Sequence, residues 1–494
     1  MSRRFHLTSS FFALAVFSVV LSGCMVGPNY KKPVEKTPPG WVEVPKGIST
    51  EQPVGVSRWW IVFDDPVLDS LVDQAAQANK DLKMAYARIY EARAQRAIAT
   101  AGLFPTLNAS ASYTAYRNSG NASPSSIPAG LVPPSLGAGG NFSGGLDLFQ
   151  GGFDASWELD IFGRTRRTIE AANASLEASE EDYRDTLVTL FAEVAADYLN
   201  VRGTQLRLVI AKKNIEAQTQ TVELTSERFE AGLSSELDVA QAKAQLASTE
   251  SQVPTLETTA KQAMYQLATL LGTTPSTVVE QLSVEKPLPA VPVNVPVGIP
   301  SDLLRRRPDV RRAERQLAAA TANIGVATAD LFPRFNLLGD IGQSAMNFSN
   351  LVRSSSTFWS LGPGISWNIF NAGSVKANIE VQKAKAKEAL ANYEKTVLVS
   401  LQDVESALVA YTKERGRRDY LADAVKSNER AYQISSELYI KGLVDFLRVL
   451  DSQRSLYQTQ DQLAVSEQLV STDLVALYKA LGGGWELPPT DAKH

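Results

Sequence analysis

The chain reads itself twice, and that duplication limits the folds open to it more than any other feature. "TAGLFPTLNAS" from Thr100 returns as "TADLFPRFNLL" from Thr328, and "FEAGLSSELDVAQAKAQL" from Phe229 returns as "YIKGLVDFLRVLDSQRSL" from Tyr439. In the second pair Gly232/Gly442, Leu233/Leu443, Leu237/Leu447, Val239/Val449 and Leu246/Leu456 stay in step; between the pairs Trp157 corresponds to Trp367 and Tyr183 to Tyr393. A chain of 494 residues would ordinarily suggest several domains, but here it reads as two copies of one unit. The copies span 63–284 and 303–482. They are joined by a proline-rich linker, 285–302, whose "EKPLPAVPVNVPVGIP" cannot continue a helix or a central strand. Residues 24–62 form a segment ahead of them and 483–494 a short tail.

Each copy has the same order of elements. The first opens with an alanine-rich helix from about Pro66 to Gly102, then alternates. In "PTLNASASYTA" Leu107, Ala109, Ala111 and Tyr113 share one face against Thr106, Asn108, Ser110 and Ser112. After a Gly/Ser/Pro-rich loop from Arg117 to Gly145, Phe153, Ala155, Trp157, Leu159 and Ile161 oppose Asp154, Ser156, Glu158 and Asp160. In the second copy Phe335, Leu337 and Ile341 oppose Arg334, Asn336 and Asp340, and Trp359, Leu361, Ile365, Trp367 and Ile369 oppose Ser360, Ser366 and Asn368. Segments of about ten residues with aromatics in the apolar set carry the pattern of membrane β-barrel strands. Four strands cannot close a barrel, and an open edge in lipid leaves backbone groups unpaired. Several copies must therefore pool their strands: two would give eight, three would give twelve.

After each strand pair comes a proline-free stretch, Gly163 to Ala231 and Gly373 to Lys441, long enough for a helix of about 100 Å. Tyr183, Leu187, Leu190, Val194, Val201 and Leu208 keep the spacings of a coiled-coil seam. Phe191, Ala195, Tyr198 and Val209 add a second stripe, as in a helix packed on two neighbours. The chain then turns at Gly232 or Gly442 and returns as helices of about Ser235 to Leu271 and Asp445 to Leu481, with the hairpin tips farthest from the membrane.

The remaining chemistry narrows the function. Arg3 and Arg4, the apolar run Phe11 to Leu21, and Ser22 and Gly23 make residues 1–23 a signal peptide. The "LSGC" that follows resembles the lipobox of bacterial lipoproteins, which makes Cys24, the only cysteine, a lipid attachment site. Several acyl chains on one residue give stable anchoring where a single chain does not. His6 lies in the segment to be removed and His494 is the last residue, so the mature body can build no Ser-His-Asp triad, Cys-His pair or His-rich metal site. No cofactor and no metal is expected. Removing residues 1–23 leaves 47 basic against 53 acidic residues, a charge of −6 without long runs of one sign, which does not point to nucleic acid. Carboxylate-only enzymes pass this filter, although no local pattern marks a catalytic pair.

The lipobox followed by "VGPNY", the repeated "LFP", "RRRPDVRRAE" from Arg305, "LDSQRSL" after the second turn and "LYKALGGGW" ending at Trp485 together resemble the TolC-like outer membrane factors, in particular their NodT-type efflux lipoproteins. The resemblance covers nearly the whole mature chain. It implies a mainly α fold with membrane β: a homotrimer forming a twelve-stranded β-barrel in the outer membrane, continuous with a twelve-helix periplasmic α-barrel. It implies no enzyme. Instead it implies a passive channel for drugs or other small molecules, fed by a periplasmic adaptor and an inner-membrane pump of the RND type and held by outer-membrane lipid. Aligned on the motif, Leu447, Asp451 and Arg454 fall at the periplasmic gate, while Gly232, Leu233, Gly442 and Leu443 fall at tips that meet the adaptor. Asp154, Glu158, Asp160 and Asp340 are expected to line a wet lumen. The alternatives are a type I protein-secretion channel, a non-channel structural periplasmic lipoprotein, and an enzyme built on carboxylates alone.

Overall fold

The computed structural model describes residues 25–34, 38–42, 48–49, 56–117, 145–292, 295–296, 300 and 306–486. The expected signal peptide, 1–23, and the expected lipid attachment site, Cys24, lie outside the described residues. The two copies repeat as expected. The first comprises α1 (Pro66–Ala78), α2 (Lys80–Ala101), β1 (Thr106–Arg117), β2 (Gly145–Leu159), α3 (Arg164–Glu230), α4 (Glu236–Glu250), α5 (Gln252–Leu270) and α6 (Pro275–Leu282). The second comprises α7 (Pro308–Ala329), β3 (Arg334–Ala345), β4 (Thr357–Ser366), α8 (Ser374–Ile440) and α9 (Phe446–Ala480). Helices α3 and α8 are both 67 residues long, and both ends of α8 lie 210 positions after those of α3 (374 − 164, 440 − 230).

Two expected helices are broken, each for a local reason. The first opening helix divides at Asn79, whose backbone is extended (φ −55°, ψ 137°). Its buried side chain accepts from Leu82 N at 2.9 Å, capping α2, and donates to Leu270 O at 2.9 Å. The first return helix divides at Ser251, because Pro254 has no N–H for the Glu250 carbonyl. Strand β2 starts earlier than its alternation, taking in the glycine-rich "GLDLFQGG" from Gly145.

The described chain forms two compact units, and each draws segments from both repeats. One holds a four-stranded antiparallel meander, β1-β2-β3-β4. Its apolar face is bare: Leu107 is 71% exposed, Trp359 74%, Leu361 70% and Ile365 69%. On the opposite face a polar row crosses all four strands. Asn108 Nδ2 donates to Asp154 at 2.9 Å, Asp154 stands opposite Asp340, and Ser360 Oγ donates to Asp340. Asp160, expected on this face, lies past the strand end and has another task. It accepts from the backbone of Thr165 (2.9 Å) and Arg166 (3.0 Å) and pairs with Arg166 Nε at 3.1 Å, capping α3 where a carboxylate also suits the helix dipole.

The same unit explains "VGPNY". Arg167, only 1% exposed, donates from Nε to Val26 O (3.0 Å) and from Nη2 to Gly27 O (3.2 Å) and Asn29 Oδ1 (2.8 Å), with Glu170 on Nη1 at 2.7 Å. Gly27 lies against Gly325 so closely that a Cβ would come within 2.4 Å of its Cα. Tyr30 packs on Ala174, Ala318 and Ala319.

The second unit carries the main core, built from α1, the start of α2, α3, α5, α6, α8, α9, Trp41 and the 3₁₀ turn Val56–Phe63. Trp59 stacks on Tyr478 at 5.3 Å, and Trp60 meets Phe191 edge-on at 5.0 Å. The end of "RRRPDVRRAE" and the Arg315 that follows it form a ladder to α3. Arg311 pairs with Glu181 (2.6 Å), Arg312 with Asp182 (2.6 Å) and Asp185 (3.0 Å), and Arg315 with Glu177 (3.0 Å). Trp485 lies between the Arg184 and Arg311 guanidinium groups at 5.2 and 5.3 Å and donates to Arg306 O. No described helix is long and apolar enough to cross a membrane.

Candidate functional site: the hairpin tips

Both tips fold by the same backbone device. Helix α3 ends where Gly232 takes φ +72°, a left-handed conformation that disfavours any side chain. Gly232 N donates to Phe229 O (2.9 Å) and Leu233 N to Arg228 O (2.7 Å), satisfying carbonyls the helix leaves free. Helix α8 ends identically: Gly442 has φ +73°, with Gly442 N to Tyr439 O and Leu443 N to Leu438 O both at 2.9 Å. The return helices are then capped. Ser235 and Asp238 form a reciprocal box at α4, and Asp445 accepts from Arg448 N at α9. The turns hold their leucines outward, Leu233 and Leu443 each being 68% exposed.

One small core joins the tips. Tyr439, Phe446, Val449 and Leu450 bury with Ala242, and Val222, Leu224, Tyr432 and Val444 pack around them. Arg228, in the last turn of α3, lies 4.7 Å over the Tyr439 ring and donates to Ile440 O, the exposed carbonyl end of α8. Burial pushes the Tyr439 phenol above its ordinary pKa.

On α9 the three gate candidates fall on the exposed side. Leu447 is 47% exposed and Asp451 and Arg454 are exposed, just as Leu237 lies open at the matching place on α4. Arg454 turns to the other hairpin, its Nε donating to Gln245 Oε1 at 2.7 Å, and makes no ion pair with Asp451 among the described residues. Residues missed by the sequence reading carry the rest of the contact between hairpins. Tyr457 OH donates to Gln252, Gln453 to Thr221, Asn214 to Gln460 and Gln468 to Asn200, while Arg207 grips Asp461 with two bonds of 2.8 and 3.1 Å. The signal was present in the heptad spacing of Gln453 and Gln460 along α9. No group of described residues could hold a metal ion.

A duplicated unit with an open-edged amphipathic sheet and paired long helical hairpins defines a class of outer-membrane channel proteins. The family model described as outer membrane efflux protein matches residues 71–273 and 299–483, and the chain belongs to that family. Nodulation protein T of Rhizobium leguminosarum bv. trifolii is 34% identical over 469 residues, covering 95% of this chain and 96% of that relative. The probable efflux pump outer membrane protein TtgC of Pseudomonas putida is 32% identical over 485 residues, 97% of this chain and 96% of that one. Among solved structures, the outer-membrane channel OprN superposes with a TM-score of 0.84 at 38% identity, covering 94% of this chain and 100% of that one. The protein is thus an outer-membrane efflux protein that extends into the periplasm, and its family is not an enzyme class.

Proposed function

We propose that three copies close a twelve-stranded barrel continuous with a twelve-helix tube, and that this conduit is the exit channel of a tripartite pump. A periplasmic adaptor and an RND-type inner-membrane pump feed it with drugs or other small molecules. The observation that carries the reading is the sheet of four strands whose two edges pair with no other strand among the described residues and whose apolar face is bare. In lipid that face is satisfied at once, but each edge strand leaves a row of backbone groups that only further strands can pair. The relatives named as efflux pump outer membrane proteins support the pump context. Cys24 is the point of acylation and lipid contact. Gly232, Leu233, Gly442 and Leu443 present the two matched turns, with their outward leucines, to the adaptor.

Leu447, Asp451 and Arg454 form the gate of the closed channel. Threefold repetition of Leu447 makes an apolar ring that excludes water, and Asp451 a carboxylate ring that attracts cations. Arg454, tied to Gln245, holds the second hairpin against the first and so keeps the rings narrow. The test is single-channel conductance in planar bilayers, with the mass of the solubilised protein measured alongside. Leu447→Ala and Arg454→Ala are expected to raise closed-state conductance several-fold, and Asp451→Asn to weaken selection for cations. Unchanged conductance in all three variants of a three-copy particle would remove the gate assignment; a one-copy particle without conductance would remove the channel.

A further inference from the structure

We propose that the outer edges of the sheet join between copies in the register that joins the two repeats within one copy: β4 runs antiparallel to β1 of the next copy, with Ser366 opposite Ser110 and Ile365 opposite Ala111. The proposal rests on the trimeric reading and adds to it residue-level pairing at the seam.

The duplication supplies the template. Phe104 and Phe332 of the "LFP" motifs lie 228 positions apart, and Trp157 and Trp367 lie 210 apart. Applying these two steps to the first hairpin, where Leu107 pairs with Ala155, gives Phe335 with Ile365, which is the pairing seen in the second. The matching extends to side chains. Trp157 Nε1 donates to Leu103 O at 2.9 Å and Trp367 Nε1 to Leu331 O at 3.1 Å, again 210 and 228 positions on. The hairpins are therefore one object used twice, without slippage.

Their junction inside the chain, β2 with β3, sets Ala155 opposite Gly339 and Ser156 opposite Leu338. Moving β2 onto β4 and β3 onto β1 by the same steps turns these pairs into Ile365 with Ala111 and Ser366 with Ser110. Polar then faces polar and apolar faces apolar, as it must, since a slip of one residue would turn one strand's polar side to lipid. The register places Gly364 opposite Ser112 where the internal junction has Asp154 opposite Asp340, so no like charges meet at the new seam. Pro363 falls opposite Tyr113 and costs the ladder only the bond a proline cannot donate.

The aromatic clamp beside the junction points the same way. Phe162 beyond β2 stacks on Phe332 before β3 at 4.5 Å. Phe104, the counterpart of Phe332, lies beside the free edge of β1 at 65% exposed, and Phe370, just past the end of the other edge strand β4, is 87% exposed.

Disulfide trapping in the full-length protein tests this. Consecutive pairs alternate between wide and close types, so one of the two must suit a disulfide. In the variants Ser366→Cys with Ser110→Cys and Ile365→Cys with Ala111→Cys, oxidation is expected to link copies into ladders that end at three, while each single substitution does not. On the same register, Leu361→Cys with Ala115→Cys matches the type of Ile365 with Ala111 and Gly362→Cys with Thr114→Cys that of Ser366 with Ser110, and each serves if its counterpart assembles poorly. Efficient trapping instead of Ile365→Cys with Ala109→Cys or with Tyr113→Cys, or no trapping at any in-register pair in a particle of three copies, would overturn the register and leave the channel standing. A single-copy particle would overturn both.

Discussion

At the scale of single residues, polar groups decide where this molecule is held and where it is under strain. Arg167 is the clearest holding residue: a buried guanidinium whose donors are spent on Val26, Gly27, Asn29 and Glu170. Gln218 on α3 is its opposite. It is 1% exposed, yet neither amide atom meets a partner among the described residues. A buried amide without hydrogen bonds costs about 1–3 kcal/mol, so Gln218→Leu, close in volume, is expected to stabilise the protein by about 1 kcal/mol. The check is the midpoint of thermal loss of helical circular dichroism, and an unchanged or lower midpoint would count against it. Little of this was legible beforehand. The motif "VGPNY" could be recognised, but the arginine that holds it lies some 140 positions away, and no local pattern links them.

At the scale of elements, the helices were legible by periodicity and the sheet by alternation, because both patterns reflect burial on one side. What escaped were the places where one residue overrides the pattern. Asn79 breaks an otherwise helical run because its side chain has partners in two helices, and Pro254 removes one rung from the first return helix. The start of β2 is hidden because glycines carry no face to read. The helical packing also buries acids. Asp197 on α3 and Asp473 on α9 are both pushed up to about 6, chiefly by burial, with Glu193 and Glu414 respectively adding repulsion. Their folded pKa lies above the unfolded one, so the folded state binds more protons between about pH 4 and 6. The stabilisation is complete below about pH 4 and is lost as pH rises from there through about 6. Acidifying from pH 7 to 5 should therefore raise the contribution of these two sites. Asp473→Asn is expected to gain about 1 kcal/mol at pH 7, after allowance for solvent screening, and nothing at pH 4. Melting curves across that range would show it, and a gain that does not depend on pH would refute it.

At the scale of the whole molecule, duplication in sequence does not mean independence in folding. Trp59, Phe191, Leu267, Tyr411, Leu474 and Tyr478 share one core, so segments from both repeats must be present before either can bury its apolar surface. The ladder from Arg311, Arg312 and Arg315 to Glu177, Glu181, Asp182 and Asp185 likewise spans the copies. Residues 63–284 expressed alone are expected to lack a cooperative thermal transition and to be digested rapidly by protease, whereas the full chain resists. A compact, cooperatively melting fragment would show that the repeat is a domain in its own right.

The equal lengths of α3 and α8 have a consequence for how such proteins can change. Adding one residue to a helix moves its tip by about 1.5 Å and swings it by roughly 100°. An indel in only one of the two would leave Leu233 and Leu443 at different depths and pointing different ways. Adjusting the reach of this protein is therefore a paired edit, made in whole heptads and in both halves of the gene together.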